Sequence, residues 1–125
     1  MKNSKDYLSE ANSVVDRVTI AEGIALHTGK EALFIDVRDS SAIAASGTIS
    51  GAIRIPRGFI EFAADPDSPF YNSALSKDAA IILVCGAGGQ AALAGKTLKE
   101  MGYQKVRNIG GFPDWRDAGG ETESG

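Results

Sequence analysis

The sequence is short of the residues that build crosslinks and metal centres: its 125 positions include one cysteine, Cys85, one histidine, His27, and one tryptophan, Trp115. A lone cysteine forms no internal disulfide and no structural zinc site, and without a Cys or His cluster no metal cofactor is expected. Also missing is any apolar run long enough to cross a bilayer. Residues Met1 to Glu10 are polar and charged, without an apolar core of the signal-peptide kind, so the expected location is cytoplasmic. Positive charge is not in surplus: the net charge is -3 and no dense basic run occurs, which implies neither nucleic acid nor a membrane as partner. What remains, 43% hydrophobic and 23% charged residues, is the composition of an ordinary soluble domain. A chain of this size is expected to form one domain, not two.

Apolar patterning then divides the chain into short alternating elements. Lys5–Val15 has weak helical spacing and predicts a loosely attached first helix. Val18 reads as the start of a short edge strand. Thr19–Leu26 reads as a second helix, with Thr19 as N-cap, Glu22 completing a capping box and Gly29 as the stop. Ala32–Ile35 is a short buried strand closed by Asp36-Val37-Arg38, followed by a helix from Ser40 to Ser46 that ends at Gly47. Ala52–Ile55 is a strand stopped by Pro56, Gly58–Ala64 a short helix, and Asp65–Pro69 the longest irregular stretch.

The clearest element is Ala80–Val84, an uncharged apolar run that fits a central strand covered on both faces. Gln90–Met101 follows as a helix capped by Gly102, Val106–Ile109 as a last strand, and Gly110–Trp115 as the opening of a final helix. Gly119–Gly125 is polar and glycine-rich, as in a disordered tail. Strands alternating with helices predict a parallel sheet with helices on both faces, whose ligands bind beyond the carboxyl ends of the strands. Asp36 and Cys85 both fall at such ends.

Cys85-Gly86-Ala87-Gly88-Gly89-Gln90 leaves the buried strand and leads straight into a helix. Small residues let consecutive N–H groups curl into an anion-binding nest, and the helix adds the positive end of its dipole. A sulfur at the centre is favoured as thiolate, the nucleophile of thiol chemistry. Two other readings stand beside this one. Free cysteine is among the most buried residue types and often only fills space. Gly86-Ala87-Gly88-Gly89-Gln90-Ala91 also matches the dinucleotide fingerprint G-x-G-x-x-A after a strand. Against the dinucleotide, the motif lies late in the chain and no acid follows near Val106-Arg107-Asn108 to hold a ribose.

Four segments in this order resemble the rhodanese, or thiosulfate sulfurtransferase, family: Phe34-Ile35-Asp36-Val37-Arg38-Asp39, Ser46-Gly47-Thr48-Ile49-Ser50-Gly51-Ala52-Ile53-Arg54-Ile55-Pro56, the Cys85 loop, and Asn108-Ile109-Gly110-Gly111-Phe112-Pro113-Asp114-Trp115. The resemblance implies an α/β fold with a central, mainly parallel five-stranded sheet and helices on both faces. It places a rhodanese-like domain over 18–119, a helical extension over 1–17 and a disordered tail over 120–125. It also implies a sulfurtransferase without cofactor. Cys85 would then take sulfane sulfur as a persulfide from a small donor and hand it to a thiol or cyanide, with a sulfur-relay protein as a further partner.

Gly86, Ala87, Gly88, Gly89, Gln90 and Ala91 would then cradle the substrate, and Asp36 and Arg38 would brace the loop by hydrogen bonds and an ion pair. Six residues from Cys85 to Gln90 match the sulfur-transfer members, whereas phosphatase relatives have a longer loop. The chain departs from the family at Gln90, where arginine is usual, and at Gly47-Thr48-Ile49-Ser50-Gly51-Ala52, where Gly-His-Ile-Pro-Gly-Ala is usual. Arg57, ahead of Arg54, is the candidate to supply the positive potential missing at Gln90. The alternative to an enzyme is a catalytically weakened binding or regulatory module, marked by Gln90. Phe112 and Trp115, three apart, are expected to pack the last helix on the core. His27 reads as a surface residue without a role.

Overall fold

The computed structural model describes residues 1–125, and its first helix, α1 (Ser4–Val14), opens on a capping box formed by Asn3 and Asp6. The expectation of loose attachment does not hold. Ala11 and Val15 are buried, and a Cβ at Gly95 would meet the Val15 methyl carbons at 2.9 Å, so α1 lies directly on the helix that carries Gly95. The edge strand β1 is Asp16–Arg17, just before Val18, which is buried. In α2 (Ile20–Thr28) the Thr19–Glu22 capping box forms as expected, and its hydrogen bonds from the Thr19 hydroxyl and amide hold the Glu22 carboxyl below the ordinary range.

The chain continues through β2 (Leu33–Asp36), α3 (Ser40–Ser46), β3 (Thr48–Ile49) and β4 (Ile53–Arg54). A single 3-10 turn, Arg57–Phe59, runs into α4 (Ile60–Ala64), and then come β5 (Ile81–Cys85), α5 (Gly89–Glu100), β6 (Val106–Gly111), α6 (Phe112–Asp117) and β7 (Thr122–Glu123). The irregular stretch after α4 is longer than Asp65–Pro69 and runs to Ala80. It is held down by the buried Leu75, whose carbonyl accepts from the Tyr71 hydroxyl at 2.6 Å.

Five strands form one all-parallel sheet in the order β1-β6-β5-β2-β4. Successive strand side chains point to opposite faces, and β5, buried throughout, supplies both cores. Ile81, Leu83 and Cys85 face Ala91, Ala94 and Leu98 of α5 and Ile60, Ala63 and Ala64 of α4. Ile82 and Val84 face Phe112 and Trp115 of α6, both fully buried, on the other side. His27 is half-buried rather than free on the surface: its ring meets Phe34 and Trp115 edge-on at 5.3 Å, and Nε2 lies 2.7 Å from the Ser50 carbonyl.

The tail, expected to be disordered, is instead ordered. β7 pairs antiparallel with β3, the Trp115 indole N–H donates to the Glu121 carbonyl, and the Gly51 amide donates to Glu123 Oε1 at 2.6 Å. That amide, with Arg54 beside it, holds the Glu123 carboxyl below its ordinary value. A polar, glycine-rich composition speaks only for the segment itself and is blind to a partner edge at Thr48–Ile49, far back in the chain. No helix is long and apolar enough to cross a membrane.

Candidate functional site

Cys85 is the last residue of the central strand, and the alternation of β5 turns its side chain towards α5. Its sulfur accepts the Gly88 N–H at 2.9 Å and the Ala91 N–H at 3.4 Å. Gly88 is left-handed (φ 104), which curls the loop back over the sulfur before α5 begins. The N–H groups of Gly86, Ala87, Gly89 and Gln90 have no acceptor within the protein. Gly89 and Gln90 are the first residues of α5, where backbone donors lack intrahelical partners and the dipole is positive. The loop therefore places two donors on its sulfur and leaves four more free in the same turn.

Access is narrow. Cys85 is 1% exposed, beneath the exposed Gly86, Ala87 and Gln90. None of the four surface concavities includes residues 85–91. The largest, about 430 Å³, lies at the opposite end of the sheet against His27 and Phe34.

The loop is held chiefly by residues that the sequence did not single out. Between β5 and β6 the register slips: Leu83 pairs with Asn108 but Val84 with Gly110, leaving Ile109 as an extra residue. At this bulge Asn108, 1% exposed, accepts the Gly110 N–H on Oδ1 at 2.8 Å and donates Nδ2–H to the Gly88 carbonyl at 2.9 Å. One amide thus fixes both its own strand and the Cys85 loop. The bulge sets Gly111 opposite Cys85, where the Gly86 peptide occupies the space a Cβ would need. The only local signal for this was the Asn-Ile-Gly-Gly run. It also extends β6 to Gly111, so the last helix starts at Phe112 rather than Gly110.

Asp36 and Arg38 form an ion pair as expected, with Nη2 2.8 Å from Oδ2 and both residues buried, but they do not hydrogen-bond the Cys85 loop. Asp36 also accepts the Thr48 hydroxyl at 2.7 Å, while Arg38 donates to Ser46 Oγ and the Gly47 carbonyl, both at 2.8 Å. The pair braces the α3–β3 connection. The reason is parity: Asp36 shares a face with Phe34, on the side of the sheet away from Cys85. Its nearest link to the loop is the Arg38 guanidinium, stacked 4.8 Å from the Phe112 ring centre.

Arg57 is likewise turned elsewhere, donating to Glu61 and to Thr97 Oγ1, both at 3.2 Å. Thr97 sits about 10 Å along α5 from Gln90, so this charge is neutralised well down the helix. Arg54 is paired with Glu123. Gln90 is exposed on the first turn of α5.

A parallel α/β sheet whose central strand delivers a cysteine onto two backbone donors at the start of a helix defines a cysteine-loop domain. The chain belongs to the rhodanese family, for the model described as "Rhodanese-like domain" matches residues 20–118. Among solved structures it is similar to RPA3614 of Rhodopseudomonas palustris CGA009, a protein of unknown function described as a possible tyrosine phosphatase. The TM-score is 0.92 at 39% identity, covering 98% of this chain and 96% of the other. It is also similar to the polysulfide-sulfur transferase homodimer of Wolinella succinogenes, with TM-score 0.77, 25% identity and coverage of 97% and 87%. The Bacillus subtilis (strain 168) protein named "Putative sulfur carrier protein YrkF" is 32% identical over 75 residues, 60% of this chain. That match spans only 35% of the relative's length.

Proposed function

We propose that the chain is a sulfurtransferase in which Cys85 carries sulfane sulfur as a persulfide. The observation that carries this function is the donor surplus: the Cys85 sulfur already receives the Gly88 and Ala91 amides, and four further loop amides lack acceptors. A persulfide anion on Cys85 could draw on those free donors, much as a developing oxyanion does in an oxyanion hole. With thiosulfate, the Cys85 thiolate attacks the outer sulfur, the bond between the two sulfurs breaks, and sulfite leaves with the bonding pair. Cyanide or a thiolate then attacks the outer sulfur of the persulfide, releasing thiocyanate or a small persulfide and returning the Cys85 thiolate. No redox partner is needed. Family membership and the sulfur-related names of two relatives agree with this chemistry. Two functions compete. The description of RPA3614 suggests phosphate-ester hydrolysis, which the short loop and the neutral Gln90 disfavour. A catalytically weakened binding module is the other.

The test is intact mass after incubation with thiosulfate, a persulfidated small thiol and a cysteine desulfurase in turn, followed by peptide mapping. One added sulfur on Cys85, removed by cyanide as thiocyanate, is the expected result. No added sulfur from any donor would favour the module, and hydrolysis of an aryl phosphate would favour the phosphatase.

Gln90 offers a neutral amide where arginine would give a permanent charge and a rigid fork of donors. A Gln90→Arg variant is expected to raise kcat/KM for thiosulfate about tenfold, the worth of one charged hydrogen bond. Equal or better turnover by the natural chain, in a thiocyanate assay, would refute this. At the other wall of the loop, Gly111→Ala must push the Gly86 peptide aside. A displacement of that kind is expected to slow sulfur uptake about 100-fold, measured as the rate of mass gain. The accompanying loss of stability is expected to stay near 1–3 kcal/mol.

A further inference from the structure

The paired arginines leave open which cation draws an anionic donor to Cys85. We infer that Arg17, at the end of the edge strand β1, is the anion-recruiting residue of the Cys85 loop; this rests on the sulfur-transfer function above and extends it to donor specificity. Arg17 pairs in register with Asn108, and neighbouring residues of a parallel pair share a face, so both side chains lie on the α5 side. Arg17 Nε donates to the Asn108 carbonyl at 3.1 Å, which fixes the guanidinium against the bulge. From there Nη2 lies 2.6 Å from where a Gly110 Cβ would stand, and Nη1 lies 3.7 Å from the corresponding Gly88 position. Gly88 supplies the shorter of the two amide contacts to the sulfur. Through these contacts the guanidinium comes to within about 9 Å of Cys85 Sγ.

The terminal nitrogens of Arg17 have no acceptor in the protein, and no carboxylate lies within 4.0 Å of them. Arg38, Arg54, Arg57 and Arg116 are all in ion pairs. Arg107 acts on Glu22 of α2, on the other side of the sheet. Gly88 and Gly110 lack side chains where Arg17 approaches, so nothing stands between its fork and the loop backbone. The charge that the family usually carries on the loop itself is here supplied from the neighbouring edge. A thiosulfate dianion or a small persulfide anion is the ligand class that such a placement favours.

The test compares full-length Arg17→Gln, Arg17→Lys and Lys30→Gln proteins by the ratio of Cys85 alkylation rates with iodoacetate and iodoacetamide. The same thiolate attacks both reagents and expels iodide from each; they differ in charge, so their ratio reads the local potential. With any bound sulfur first removed by cyanide, it does so whether or not the protein transfers sulfur, unlike a turnover assay. Arg17→Gln is expected to lower the ratio between two- and twentyfold in dilute buffer, the Coulomb range at about 9 Å between watery and protein-like surroundings. The effect should shrink at 0.5 M salt. Arg17→Lys should keep most of the ratio, and Lys30→Gln, which removes the same charge beyond the opposite end of the sheet, should keep all of it. KM for thiosulfate should rise in Arg17→Gln with kcat nearly unchanged. A ratio unmoved by Arg17→Gln overturns the assignment. So does an equal fall in Arg17→Lys, which would mark a structural role, or in Lys30→Gln, which would mark net charge alone. Sulfur transfer itself fails separately, by the absence of added mass on Cys85.

Discussion

A Cys85→Ser protein is expected to take up no sulfur from any donor and to transfer none above background, while remaining folded. Serine places a smaller acceptor close to the sulfur position, within reach of the Gly88 amide, so the loop keeps the shorter of its two internal contacts. The surroundings are already tight, since Cys85 packs with Leu83, Ala91 and Ala94 in the α5-side core, and serine is slightly smaller. Stability is therefore expected to fall by no more than about 1–2 kcal/mol, the usual scale for a small buried exchange. A hydroxyl cannot hold sulfane sulfur, and the loss of transfer is complete rather than graded. Intact mass and thiocyanate release measure the first effect and thermal unfolding the second. Residual transfer in the serine protein would locate the chemistry away from Cys85, the only cysteine in the chain.

What was legible in the sequence was what local pattern controls. The run Ala80–Val84 reads as a doubly covered strand and the Thr19–Glu22 pair as a helix cap; the strand forms one residue later, over Ile81–Cys85, and the cap forms as read. The Cys85 loop was equally readable, because glycines after a buried strand and before a helix leave the backbone donors of α5 uncovered. What stayed hidden depends on contacts between distant segments. Nothing in Glu121–Glu123 announces that it will pair with Thr48–Ile49, and nothing in Arg17 shows that β1 will lie beside the Asn108 bulge. For Arg57 the counter-charge Glu61 is only four residues on, and what distance hid was Thr97 on α5, forty residues away. For Asp36 the information was local after all: strand alternation sets it on the face opposite the side chain of Cys85.

That parity makes Asp36→Ala the sharpest separation of fold from site. Removing the carboxylate leaves Arg38, itself buried, without its counter-charge, and the Thr48 hydroxyl and Arg38 amide without their acceptor. Breaking one side of a buried ion pair costs about 3–5 kcal/mol, because the remaining charge stays desolvated. For a domain of this size that lowers the melting temperature by about 10–20 °C. The buried Trp115 gives a fluorescence signal for the transition. The Ser46 hydroxyl, the Gly47 carbonyl and the Phe112 ring still hold the guanidinium, so the loss should lie towards the lower end of the range. An Asp36→Ala, Arg38→Met double variant removes the orphaned charge and is expected to be more stable than Asp36→Ala alone. A single-variant cost below about 1 kcal/mol would show that water reaches the pair and screens it. Below its melting range, Asp36→Ala should take up sulfur on Cys85 at close to the normal rate, since its contacts run to α3 and β3 and not to the loop. A large fall in uptake by the folded variant would mean that Arg38, through Phe112, sets the position of Gly111 and with it the loop wall opposite Cys85.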